Sequence, residues 1–131
     1  MTYVVDASVA VEYLLRTELG IRVAPLLEGS ILVAPSLLDV EVMSVLRRAT
    51  LRRVLDEARA LDLLQDLRRW PLVRIPTVEL LEVAWTYREN VSAYDAFYVA
   101  SASAYSATLL TSDGPLSRAP ALGILIQNVR L

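Results

Sequence analysis

Histidine, cysteine and lysine are all missing from the 131 residues. Without cysteine there is no disulfide, no thiol nucleophile and no thiolate-bound zinc. Without histidine the usual general base is gone, and with it every Ser-His-Asp triad and most zinc enzymes. An enzyme built from this chain must run on carboxylates, hydroxyls, arginines or a bound ion. Glycine is scarce, at four residues. Neither a phosphate-cradling Walker loop nor a dinucleotide fingerprint can be written with them. No apolar run approaches the roughly 20 residues that span a bilayer. The most apolar start, residues 3–15, is interrupted by Asp6 and Glu12 and has no basic leader before it. A cytoplasmic protein with no membrane partner is the expectation.

What is present is apolar. Hydrophobic residues make up 55 % of the chain and the mean hydropathy is +0.44, above the usual range for a globular domain. Such a surplus implies surface patches for a partner, either a second copy or a different chain. All thirteen basic residues are arginine and the net charge is -2. The simplest reading of the arginine preference is GC-rich codon usage. The net charge argues against holding nucleic acid by bulk electrostatics, yet leaves room for a local arginine rim around an acidic centre. The length is that of one domain, residues 1–131.

Strand and helix signals alternate along the chain. Thr2-Tyr3-Val4-Val5 reads as a buried strand and Asp6 ends it. A helix follows to about Arg16, then a second from Glu18 to Glu28, stopped by Gly29-Ser30. Ile31 to Ala34 is the second strand. Pro35-Ser36 opens a helix to about Thr50, with Ser36 as its expected cap. A further helix runs from about Val54 to Arg69, its arginines and acids mixed on what reads as a solvated face. Leu72 to Ile75 is the third strand, and a helix is expected from Val78 to about Glu89. Ser92 opens a helix almost free of charge, from Ala96 through Ala104. Thr108 to Thr111 is the fourth strand, 112–115 a turn, 116–121 a helical turn, and 124–126 a fifth strand. This alternation implies an α/β fold, a mostly parallel sheet of about five strands covered by helices on both faces.

Four acids stand out against that pattern. Asp6 and Asp113 each follow a strand at its carboxyl end, where open α/β sheets place their sites. Asp95 lies in the first turn of the uncharged helix, where an uncompensated carboxylate is costly. Glu41 falls at the edge of the apolar stripe formed by Leu38, Val42, Val45, Leu46 and Ala49. Each has a structural explanation taken alone. Asp6 is a good helix cap, Ser92 with Asp95 resembles a capping box, Asp113-Gly114 invites a turn, and Glu41 can pair with Arg48. Taken together they converge along one rim of a parallel sheet. Four such carboxylates repel one another. A hard divalent cation resolves the conflict, and all-oxygen ligation suits Mg²⁺ or Mn²⁺. Phosphodiester hydrolysis is the chemistry such an ion supports without histidine.

Asp6-Ala7-Ser8 after the first strand, Glu41 in its Leu-rich helix, Tyr94-Asp95-Ala96-Phe97-Tyr98 and Leu110-Thr111-Ser112-Asp113 resemble the PIN-domain ribonucleases. The small bacterial VapC-type toxins of type II toxin–antitoxin pairs are the group most like it. The likeness covers nearly the whole chain in order. It implies a PIN-like three-layer α/β/α sandwich and a Mg²⁺- or Mn²⁺-dependent endoribonuclease acting on structured RNA such as tRNA or rRNA. It also implies a homodimer and a VapB-type antitoxin that covers the acidic groove. By this resemblance Asp6, Asp95 and Asp113 hold the metal, Glu41 completes a catalytic quartet, and Ser8 and Thr111 support it with hydroxyls. Some relatives carry another polar or acidic residue shortly after the last Asp, where this chain has Gly114-Pro115, so a second metal site is not predicted and the metal count stays open.

Two other classes fit parts of the pattern. A PIN-like scaffold without activity would have no need for four repelling acids. A phosphatase working through an aspartyl-phosphate wants an Asp at the position of Ser8 and a lysine, and this chain has neither.

Overall fold

The computed structural model describes residues 1–119 and 122–130. Its centre is strand β1, Thr2–Val5, with Val4 and Val5 fully buried. Helix α1, Ala7–Leu15, and helix α2, Glu18–Glu28, lead to strand β2, Ile31–Pro35. Helix α3, Leu37–Leu51, and helix α4, Glu57–Arg69, lead to strand β3, Val73–Ile75. A 3-10 turn at Thr77–Leu80 runs into the short helix α5, Leu81–Trp85. Helix α6, Ala93–Tyr105, then delivers the chain to strand β4, Thr108–Thr111. Helix α7, Gly114–Ser117, and strand β5, Ile126–Asn128, complete the described elements.

The strands form one sheet in the order β3-β2-β1-β4-β5, and every pairing is parallel. The α/β/α expectation is met, with helices on both faces. Parallel strands need crossovers, and right-handed crossovers running in opposite directions from β1 place helices on opposite faces. Helices α1 to α4 pack against one another, while α6 lies over β1, β2 and β4. A sheet covered on both faces requires strands apolar throughout, which explains the runs Tyr-Val-Val, Leu-Val-Ala and Leu-Leu.

Close approach is written into particular residues. Gly20 lies where α2 meets α1, and a Cβ there would stand 1.9 Å from the backbone oxygen of Glu12. Tyr13 of α1 stacks on Trp70 after α4, ring centroids 5.1 Å apart. Arg74 of the edge strand β3 reaches both Asp39 oxygens at 2.8 and 3.0 Å and donates to the Leu67 carbonyl at 2.7 Å. That one guanidinium ties α3, α4 and the sheet edge together.

Some boundaries differ from expectation. The helix expected over 78–89 is only a 3-10 turn and five α-helical residues. Val78 and Leu81 stay exposed while Leu80 and Ala84 are buried, and the α-helical residues stop at Trp85. Ser36 does not cap α3; its hydroxyl instead donates to the Ile75 carbonyl across the sheet edge at 3.2 Å. The fifth strand lies two residues later than its apolar run, because Leu109 pairs with Ile126 and Thr111 with Asn128. The turn expected at 112–115 is shorter: Pro115 sits at the start of α7, where its missing N–H costs nothing. Of the helical turn expected over 116–121, Pro120 and Ala121 lie outside the described residues. Among the described residues no helix is long and apolar enough to cross a membrane.

Candidate active site

The strand order changes direction at β1. The chain leaves β1 for β2 on one side and later returns to β4 on the other. The crevice between the carboxyl ends of β1 and β4 is therefore the topological switch point, where open α/β sheets bind ligands. Asp6 follows β1 and Asp113 follows β4, so the fold brings the first and last of the four acids to that crevice.

The register explains how. Val5 pairs with Leu110, and the Asp6 N–H donates to the Leu110 carbonyl at 3.2 Å. Asp6 also caps α1: its Oδ1 accepts the Val9 N–H at 3.1 Å. The structural and functional explanations of this residue are thus compatible. The Ser8 hydroxyl donates to the same Oδ1 at 2.6 Å and accepts the Ser112 N–H at 3.0 Å. Thr111, fully buried at the end of β4, accepts the Asp113 N–H on its hydroxyl at 2.9 Å. That hydroxyl also favours the ionised form of Asp6. Two small hydroxyls therefore stitch the Asp6 and Asp113 junctions to each other.

Asp95 and Glu41 come from helices. Ser92 caps α6 by accepting the Asp95 N–H at 3.2 Å, which forms one half of a capping box. The Asp95 carboxylate is half-buried and close enough to Asp113 to feel its charge. Glu41 is half-buried on α3, the Leu38, Val42 and Leu46 stripe having carried it inward. It does not pair with Arg48, which donates to Ser44 instead. Its partner is Tyr98, whose hydroxyl donates to Glu41 Oε1 at 2.6 Å.

The four acids form one electrostatic chain. Asp6 has its pKa raised, first by burial and also by Asp113. Asp95 is raised by burial and then by Asp113. Glu41 is raised by burial and, after the opposing Tyr98 hydrogen bond, by Asp95. No arginine contributes to any of the three. Tyr98 is held protonated by burial and by Glu41, Asp6 and Asp95 together. The structure thus clusters all four residues that the sequence singled out, together with Ser8 and Thr111.

A hard divalent cation fits this donor set: it is all oxygen and anionic, and among the described residues none of the four acids forms a salt bridge. Among the described residues, no three carboxylates already stand as a ready-made cage. Asp95 and Asp113 are half-buried.

Tyr98 is the participant that the sequence reading passed over. Its signal was present: it stands three residues after Asp95, on the same helical face, and a phenol buried in an uncharged helix needs a hydrogen-bond partner.

Residues 3–122 match the PIN domain model, PIN. Ribonuclease VapC1 of Mycobacterium tuberculosis is 42 % identical over 129 residues, 97 % of each chain. Ribonuclease VapC9 of the same species is 42 % identical over 114 residues, 87 % of each chain. Solved structures share the fold. A chain of VapBC2 from Rickettsia felis, crystallised with a DNA fragment from its promoter, matches with a TM-score of 0.67 at 14 % identity, covering 97 % of this chain and 98 % of that one. PAE2754 from Pyrobaculum aerophilum matches with a TM-score of 0.67 at 23 % identity, covering 96 % and 83 %. The chain belongs to the PIN-domain family, and within it is similar to VapC ribonucleases along almost its entire length.

Proposed function

We propose that this chain is a divalent-metal-dependent endoribonuclease, the toxin of a VapBC-type toxin–antitoxin pair, cutting structured RNA such as tRNA or rRNA. The observation that carries the reading is the gathering of Asp6, Asp113, Asp95 and Glu41 at the switch point, where Ser8 ties the Asp6 turn to Ser112 and burial and neighbouring acids raise the pKa of Asp6, Asp95 and Glu41. Relatives named as VapC ribonucleases at 42 % identity support the substrate class. The VapBC2 likeness supports the fold that a VapB-type antitoxin would cover. A homodimer accounts for the apolar surplus, including the exposed Val78, Leu81 and Trp85.

In this reading Asp6, Asp95 and Asp113 hold Mg²⁺ or Mn²⁺. When bound, such an ion would supply a more acidic water and a counter-charge for the phosphate. The residues of the chain do the rest. Ser8 and Thr111 fix Asp6 and the Asp113 backbone, so that two acids from distant parts of the sequence keep one spacing. Glu41 keeps Oε2 free of the Tyr98 bond, available to take a proton from the attacking water. Asp95 stands between Glu41 and Asp113 in the chain of repulsion, and its loss breaks the cluster in the middle.

A paired assay tests the substrate class. The purified protein, with Mn²⁺ or Mg²⁺, is given a labelled structured RNA and, separately, a phosphomonoester. RNA cut internally with the monoester untouched is the expected result. Hydrolysis of the monoester alone would replace the nuclease reading with a phosphatase one.

A further inference from the structure

Glu41 and Asp95 reach the site from α3 and α6, and no backbone ladder fixes one helix against the other. Tyr98 joins them. It lies three residues after Asp95, so the same face of α6 that presents the Asp95 carboxylate also presents this phenol. Its side chain is 2 % exposed, and its hydroxyl reaches across to Glu41 Oε1 at 2.6 Å. Among the described residues it is the one side chain that hydrogen-bonds Glu41. Packing alone does not call for the hydroxyl: phenylalanine would fill nearly the same space without a buried oxygen to satisfy.

We propose that Tyr98 is a positioning residue of the nuclease site, occupying Oε1 of Glu41 and thereby holding Oε2 as the oxygen presented to the attacking water. The inference rests on the reading of Glu41 as part of that site. A carboxylate on a long side chain has several rotamers, and a charge-assisted bond from a rigid, buried phenol selects one. The phenol sits on the helix that carries Asp95. The bond therefore also sets the distance between the two helix-borne acids.

Single-turnover RNA cleavage by the wild-type protein, Tyr98→Phe, Glu41→Gln and the double variant tests this, with each protein's Tm recorded. Tyr98→Phe is expected to slow cleavage about ten- to a hundredfold, the usual weight of a hydrogen bond to a charged group, with KM little changed. On the Glu41→Gln background it is expected to add little further loss, because the residue it acts through is already disabled. Full activity in Tyr98→Phe, beside a disabled Glu41→Gln, would overturn the proposal and leave the nuclease site intact. Equal losses on both backgrounds would reassign Tyr98 to packing. Full activity in Glu41→Gln would remove Glu41 from the site and the proposal with it.

Discussion

The Ser8 hydroxyl accepts the Ser112 N–H at 3.0 Å across 104 residues of sequence. The same oxygen donates to Asp6 at 2.6 Å. One serine therefore closes the crevice between β1 and β4 and orients the most buried of the four acids, Asp6, which is 6 % exposed.

Ser8→Ala should weaken the site without dismantling the fold. Partners that orient a metal-holding carboxylate typically matter by about 10–100-fold in metal affinity or activity. The Ser112 amide loses its acceptor, at about 1 kcal/mol of stability. Cleavage rate and a chemical melt, measured side by side, check this. A variant with wild-type activity would show that the two hydrogen bonds of Ser8 serve the fold alone.

Asp6→Asn separates stability from function. The amide oxygen can still accept from Val9 and Ser8, while the buried charge is removed. Activity should fall to background and Tm should hold or rise by a few degrees. A large drop in Tm would mean that the charge itself supports the fold, contrary to the burial that raises its pKa.

The site also makes stability depend on pH. Asp6, Glu41 and Asp95 all have raised pKa values, with burial the first cause in each. The native protein therefore binds protons more tightly than the unfolded chain. Stability should fall as pH rises from about 4, the ordinary carboxylate value, through the raised native values. Saturating Mn²⁺ should flatten the fall, adding about 2.7 kcal/mol at 100 times its Kd. Melts at pH 5 and 7.5, in EDTA and in Mn²⁺, decide it. A Tm in EDTA that climbs with pH would contradict the picture.

Gly20→Ala should be among the most damaging small changes outside the site. The new Cβ would meet the Glu12 carbonyl at 1.9 Å. Backbone cannot yield as a side-chain tip does, and overpacking of this kind costs about 1–3 kcal/mol. A denaturant midpoint equal to wild type would show that α1 and α2 separate easily.

Much of this was legible in the chain. Apolar runs ending in Asp announced β1 and β4, because strands covered on both faces have no polar alternation and end abruptly. A parallel pairing of β1 with β4 is enough to bring Asp6 and Asp113 to the same end of the sheet. Asp95 was legible because a carboxylate beginning an uncharged helix has to be explained. What the pattern does not carry is partner choice across elements. Glu41 bonding Tyr98 rather than Arg48, and Ser36 reaching Ile75 rather than capping α3, depend on how helices lie against the sheet. The helix after Thr77 is shorter than its pattern suggests: Leu80 and Ala84 are buried, while Val78, Leu81 and Trp85 stay exposed. The displaced fifth strand was set by pairing with β4 rather than by its own hydrophobicity.

The central claim is that the four acids form one metal-dependent RNA-cutting centre. Its most direct test is cleavage of a labelled structured RNA against Mn²⁺ concentration, for the wild-type protein and Asp95→Asn, with Mn²⁺ binding followed by calorimetry. Cutting that saturates with Mn²⁺, disappears in EDTA and is abolished by Asp95→Asn along with weakened Mn²⁺ binding is the predicted result. RNA cutting that persists in EDTA, or that survives in Asp95→Asn at the wild-type rate, would contradict the account.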